Sequence, residues 1–255
     1  MSLIKDIREA YIIYKERDPA IRTYWDVILY PCFWALRSYR RAHKLWLQGH
    51  CFRARRISQR AARRTGIEIH PGATIGEGLF IDHGTGVVIG ETTVIGDNCT
   101  LYQGVTLGGT GKETGKRHPT LGNGVMVSAG AKLLGSFSVG DNAKIGAGSV
   151  VLKAVPDNCT VVGVPGRVVR MKNSPIPLAN LDQTHLPDPI LEDMKTLKNA
   201  NNELINRLLA LEDEVRILSR EQSGREIPRR PLEQAAPEPD RDYVEVDECV
   251  FADYI

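Results

Sequence analysis

The chain lacks several features that would assign it to a class at once. No stretch reaches the ~18 apolar residues of a membrane span, and the opening MSLIKDIREAYIIYKERD has no uninterrupted apolar core of the kind that marks a signal peptide. The five cysteines, Cys32, Cys51, Cys99, Cys159 and Cys249, form neither a paired metal-ligand spacing nor an even-numbered disulfide set. A reduced, cytoplasmic setting is therefore expected. A strong net charge is missing too, since 33 Lys and Arg against 31 Asp and Glu leave a formal +2. That balance conceals a basic stretch at 37–64 and an acidic one at 233–253. Neither carries a nucleic-acid-reading motif; the basic stretch reads as a solvated helical face, and no nucleic-acid partner is expected.

What is present begins with helical spacing. Leu3, Ile7, Ala10 and Tyr14 share one helix face, and the pattern stops at Asp18-Pro19, where proline disfavours helix before it. Between 27 and 64, Leu29, Phe33, Leu36, Tyr39, Leu45 and Trp46 recur among arginines, as in amphipathic helices separated near Gly49. The basic turn 60–64 followed by Gly66 is a helix C-terminal signal. Residues 1–66 therefore read as an N-terminal helical region.

From Ile69 the period changes to six. Aliphatic residues fall at Ile69, Ile75 and Ile81, then Ile89, Ile95, Leu101 and Leu107, then Leu121, Val127, Leu133, Val139, Ile145 and Val151. Such a period suits short parallel strands joined by tight turns, three to a coil, stacked as a solenoid over 67–172 with the aliphatic column inward. An antiparallel sandwich would instead alternate every two residues. Gly76, Gly96, Asn98, Gly122, Asn123, Gly140, Asn142 and Gly146 mark the corners and are expected to supply positive φ angles.

The period breaks twice, adding two residues between Ile81 and Ile89 and eight between Leu107 and Leu121. Each break holds a histidine, His83 after Asp82 and His118 after Lys116-Arg117. Histidine is the usual general base near neutral pH, best when a carboxylate holds its other nitrogen. Asp82 is adjacent and so points to the opposite side, where it would meet a ligand itself; Glu68, about one coil back, is the better orienting candidate. His70, within the regular rungs beside Pro71, reads as structural. His70, His83 and His118 would suffice in number for zinc, but their spacing specifies no metal. The glycine-rich basic loop 108–119 could hold a phosphate or carboxylate, or be a mobile insertion; it lacks P-loop spacing and context.

After the solenoid, 173–189 is a proline-containing linker. A heptad seam then occupies 190–222, with Met194, Asn201, Leu208 and Val215 at a and Ile190, Leu197, Leu204, Leu211 and Leu218 at d. Self-association through a coiled coil is expected. The acidic tail 223–255 reads as flexible, closing on the apolar docking peptide 250–255.

Several of these stretches together resemble the hexapeptide acyltransferases and, within them, the serine acetyltransferase family. They are Asp82-His-Gly-Thr-Gly, Val105-Thr-Leu-Gly-Gly-Thr-Gly-Lys, Arg117-His-Pro, Gly124-Val-Met-Val-Ser-Ala-Gly-Ala-Lys and Gly146-Ala-Gly-Ser-Val-Val-Leu, within a likeness covering about 17–172. The resemblance implies a mainly β fold with α, a left-handed parallel β-helix that breaks the right-handed crossover rule and works as a homotrimer or a dimer of trimers. It implies acetyl transfer from acetyl-CoA, a cosubstrate rather than a bound cofactor, to the hydroxyl of L-serine for cysteine synthesis. His83 would be the base, oriented by Glu68 where many members have aspartate. Asp18 in Arg17-Asp-Pro, Asp82, Arg117 and His118 would hold the amino acid, carboxylates taking its ammonium and arginine its carboxylate. With His118 also placed in the catalytic set, the second break could reach a neighbour's coil, so the site would belong to two chains. Gly109, Ala129 and Ala147 would line the CoA channel, with Lys132, Arg167 and Arg170 near its phosphates. Ile255 at the C-terminus would enter O-acetylserine sulfhydrylase. The helical region is shorter than in long members, and the heptad segment is foreign to the usual core. A hexapeptide acetyltransferase for a sugar or antibiotic hydroxyl, or a histidine-zinc enzyme or scaffold on the same fold, are the alternatives.

Overall fold

A computed structural model describes residues 3–111, 114–171 and 189–223. Three helices lead: α1 (Leu3–Arg17), α2 (Pro31–Leu47) and α3 (Cys51–Thr65), with a short 3-10 turn at Asp26–Leu29. Each boundary has a local cause. Pro31 opens α2, where a missing N–H costs nothing. Gly66 closes α3 at φ 72, its N–H returning to Ala62 O at 2.8 Å.

From Ile67 the chain winds through short strands in three sheets, which form the faces of a parallel solenoid. The first face stacks Ile67–Ile69, Val87–Ile89, Thr106–Gly108, Lys132–Leu134 and Val150–Val151. The second stacks Thr74–Ile75, Val94–Ile95, Thr120–Leu121 and Ser138–Val139. The third stacks Phe80–Ile81, Thr100–Leu101, Met126–Val127, Lys144–Ile145 and Cys159–Val162, and Arg167–Met171 turns back antiparallel along its last edge. Every other pairing is parallel and in step, as in Ile81 with Leu101 and Leu101 with Val127. Of the thirteen aliphatic residues at period six, all but Ile75 are buried. Removing each such side chain from water contributes about 1.5–3 kcal/mol, and the column runs unbroken through the coils.

The corners correct one expectation. Of the eight residues assigned positive φ, only Asn98 (φ 58) and Asn142 (φ 56) adopt it. Gly76, Gly96, Gly122 and Gly140 are glycine because the next coil crowds them. Between the second and third faces, Asp97, Asn123, Asp141 and Asp157 each use Oδ1 to accept a backbone N–H from the coil above, at 2.7–2.9 Å. A Cβ on Gly76 would lie 2.3 Å from Asp97 Oδ1. The constraint is close approach rather than backbone conformation.

The helices cover the open edge of the first coil and part of the third face. The Tyr39 hydroxyl donates to Ala73 O and that of Ser58 to Ile69 O, both at 2.6 Å. Tyr14 of α1 packs its ring on Phe80, centroids 4.9 Å apart. Arg17, the last residue of α1, is buried, and its Nη1 donates to Gly78 O and Cys99 O at 3.0 Å and to Thr100 Oγ1 at 3.3 Å. It pins the helix end to two successive coils.

A second unit contains most of α4 (Pro189–Ser223). Met194, Leu197, Leu204, Leu208, Leu211, Val215 and Leu218 of the heptad seam are each more than half exposed. The linker at 173–188, Lys112 and Glu113 of the basic loop, and the tail beyond Ser223 with Ile255 lie outside the described residues.

Candidate active site

The corner between the third and first faces is enlarged once. Ile81 pairs with Leu101 and Val88 with Thr106, so six residues there stand beside four in the coil below, an excess of two. The extra length holds Asp82 and His83. His83 is exposed and sits at φ 55, a left-handed conformation uncommon for non-glycine residues but entered by histidine and asparagine more readily than by most. Gly84 N donating to Asp82 O at 2.6 Å closes the turn. The His83 ring makes no hydrogen bond with the described residues, so its nitrogens are open to a ligand.

Asp82, next to His83 in the chain, lies within electrostatic reach of a second carboxylate, Asp18. Asp18, directly after the pinned Arg17, accepts the Ala20 N–H at 2.8 Å on Oδ1 and the Tyr30 hydroxyl on Oδ2. Burial pushes the Asp82 carboxyl up from its ordinary range, and the charge of Asp18 adds to this, while His83 opposes it. Burial likewise raises the Tyr30 phenol, followed by its bond to Asp18 and the charge of Asp82. Two negative groups sharing a half-buried corner would be relieved by a cation. Glu68, on the outer side of the first face, accepts from Gln59 Nε2 at 3.3 Å, a bond to α3 rather than to His83.

A second cluster occupies the next corner, between the first and second faces, where the loop 109–119 leaves the solenoid. Arg117 pairs with Glu91, and that guanidinium holds the Glu91 carboxyl below its usual value. His118 is buried, its ring lying against Gly90. Thr92 gathers the loop: its Oγ1 accepts from Arg117 N at 3.0 Å and His118 N at 3.1 Å, and lies 2.9 Å from His118 Nδ1. Lys116 Nζ donates to Thr92 O at 2.7 Å. Burial, reinforced by Arg117, lowers the His118 imidazole. His70 stands at the same corner one coil above, its Nδ1 accepting from Gly72 N at 3.0 Å.

Within one chain these clusters do not meet. The first face lies between them, three residues wide and so roughly 10 Å across. Asp18, Asp82 and His83 belong to one corner; Arg117, His118 and Gly109 belong to the other. A Cβ on Gly109 would lie 3.1 Å from Arg117 O. Below His83, the corners with Gly104, Ala129-Gly130 and Ala147-Gly148 stack closely enough that a Cβ on Gly104 would reach Gly130 Cα at 3.4 Å. This leaves a column of small residues, flanked by Lys132, whose Nζ donates to Gly104 O. At its foot Gly166 N donates to Val150 O at 2.7 Å, placing the turn before Arg167. The Arg170 side chain lies outside the described residues. Among the described residues, no group of three His, Cys, Asp or Glu could hold a metal ion.

Sequence reasoning passed over Arg17, Tyr30, Glu91 and Thr92. Arg17 ends α1 and Tyr30 is the extended residue just before α2, and a pinning or hydroxyl contact there has no periodic signature. Gly90-Glu91-Thr92 looks like any other corner, and only its coil neighbour shows its use.

A six-residue parallel solenoid with one corner opened around a histidine defines a hexapeptide-repeat transferase, and the family model described as bacterial transferase hexapeptide (six repeats) matches residues 118–153. A serine acetyltransferase of Synechococcus elongatus is 50% identical over 214 residues, 84% of this chain and 84% of that protein. The chain belongs to the serine acetyltransferase family. Among solved structures, Neisseria gonorrhoeae serine acetyltransferase in complex with serine shares 45% identity at TM-score 0.62, covering 65% of this chain and 68% of that one. The Brucella abortus enzyme in complex with coenzyme A shares 46% identity at TM-score 0.63, covering 66% and 68%.

Proposed function

We propose that this chain transfers the acetyl group of acetyl-CoA to the hydroxyl of L-serine, giving O-acetyl-L-serine and CoA for cysteine synthesis. The observation that carries the reading is the exposed, unbonded His83 in an enlarged corner, with Asp18 and Asp82 beside it. His83 takes the hydroxyl proton as the serine oxygen attacks the thioester carbonyl. The carbon–sulfur bond breaks, and the proton passes from the imidazolium to the departing thiolate. Asp18 and Asp82 take the substrate ammonium, and Arg117 and His118 its carboxylate. A zwitterion needs both signs, which a sugar hydroxyl does not. The small-residue column with Ala129 and Ala147 receives the CoA arm, with Gly109 at the neighbouring corner and Lys132, Arg167 and Arg170 toward its phosphates.

Because the two clusters are a face apart in one chain, they join across the boundary between adjacent chains of a trimer. Glu68, bonded to Gln59 in the structure, is the carboxylate we assign to orient His83. The seam of α4 pairs in parallel with that of other copies: Arg207 at a g position faces Glu212 at e of its neighbour, and Asn201 sets the register. The C-terminal Ile255 serves a sulfhydrylase partner. No described helix is long and apolar enough to cross a membrane, and we place the reaction in the cytoplasm.

Release of CoA thiol by the full chain with acetyl-CoA and L-serine, homoserine or galactosides tests this. Serine-dependent release that falls ~10²-fold or more in His83→Ala is expected; release that ignores serine would overturn it.

A further inference from the structure

The two breaks differ in how their histidines are held. His83 has open ring nitrogens, whereas His118 is bonded through one nitrogen to a single residue. The Thr92 backbone N–H, which can only donate, points at His118 Nδ1 at 3.2 Å. Thr92 Oγ1 has one proton and two lone pairs. Both lone pairs are taken by the N–H groups of Arg117 and His118, so the hydroxyl proton is left for Nδ1 at 2.9 Å. His118 Nδ1 is thereby an acceptor from two donors, and the proton of the neutral ring must sit on Nε2. That edge has no partner among the described residues, nor is it among the sealed polar atoms. Burial and the adjacent Arg117 keep the ring neutral near pH 7.

We propose that Thr92 is a positioning residue that holds His118 in its Nε2–H form, so that the free edge donates to the carboxylate of the amino-acid substrate beside Arg117. This deepens the serine acetyltransferase reading and rests on it. His118 then cannot be the base: Nε2 already carries a proton, and the Nδ1 lone pair is occupied twice. Glu91 anchors Arg117 while Thr92 fixes the loop backbone and the ring, giving a rigid two-pronged donor set for one carboxylate.

The test uses the full-length protein with labelled histidine and long-range proton–nitrogen spectra, His118 being assigned by its loss in His118→Asn. The wild type should show the proton on Nε2 of His118; a proton on Nδ1 would overturn the proposal without bearing on the reaction. In kinetics, Thr92→Val keeps the branched shape and loses the hydroxyl. It should raise KM for L-serine about 10-fold or more and leave KM for acetyl-CoA unchanged. Thr92→Ser should restore serine KM close to wild type. An unchanged serine KM in Thr92→Val, or equal rises for both substrates, would refute it. Should Thr92→Val not fold, Thr92→Ala against Thr92→Ser gives the same comparison. A wild type that releases CoA without serine dependence would instead defeat the parent reading, with the spectrum still deciding the ring form.

Discussion

Gly90→Ala probes how tightly the second corner holds its histidine. The backbone at Gly90 is outside the left-handed region, so alanine is conformationally allowed there. Its methyl carbon, however, would stand 2.0 Å from His118 Cδ2, 2.2 Å from Nε2 and 2.7 Å from Cγ. Carbon atoms rest at about 3.5–4.0 Å, so the ring must retreat by roughly 1.5 Å, enough to part Nδ1 from its two Thr92 donors. Two hydrogen bonds at ~1 kcal/mol each and overpacking of ~1–3 kcal/mol outweigh the ~0.4–1 kcal/mol a harmless Gly→Ala would add. A net loss of roughly 2–5 kcal/mol is expected. Thermal melting at fixed protein concentration reads the stability, and initial rates against serine concentration read the displaced ring as a raised KM. The decisive sample is Gly90→Ala combined with His118→Ala, which removes the three atoms nearest the methyl. Its cost should fall short of the summed single costs by at least ~1 kcal/mol. Additivity within ~0.5 kcal/mol, or a normal serine KM in Gly90→Ala, would show that the ring does not rest on Gly90.

Two further outcomes follow from other parts of the molecule. Burial lowers both His70 and His118, so on acidification the unfolded chain takes up protons first, near pH ~6.5. The stability they confer is therefore complete above that value and declines as pH falls through it toward their folded values. Melting temperature should drop between pH 8 and 5, less steeply in His118→Asn, and identical slopes would count against the assignment. In α4, the proposed parallel in-register pairing would put Val215 beside Val215 of a second copy, with Asn206 facing outward. Mild oxidation should cross-link Val215→Cys chains and spare Asn206→Cys chains; equal cross-linking of both would remove the parallel pairing.

The solenoid was legible because its inward positions recur every six residues and tolerate only aliphatic side chains, as Ile95, Leu101 and Leu107 illustrate. Both breaks stood out against that regularity, and with them His83 and His118. Local spacing could not disclose which residues a coil brings together one level up. Thr92 lies 26 residues from His118 in the chain and touches it only because the strands Val94–Ile95 and Thr120–Leu121 are stacked neighbours. Glycine at the corners was visible, but its cause was misassigned: the crowding atom at Gly76 belongs to Asp97, on the following coil. Arg17 escaped notice because its partners are backbone carbonyls at Gly78 and Cys99, which leave no trace in composition.

The stacked corners beneath His83 also behave as a graduated scale. Successive coils are spaced by about 4.8 Å, and the chain descends from His83 past Gly104, Ala129-Gly130 and Ala147-Gly148 to the turn before Arg167 in four such steps, roughly 19 Å. Distance along this edge can change only by whole coils. Removing one would leave the histidine corner and its helical cap intact, yet shorten by one step the edge along which the proposed acyl carrier would lie. On the proposed function, donor length would thus be set by the number of repeats, independently of the residues assigned to the transfer.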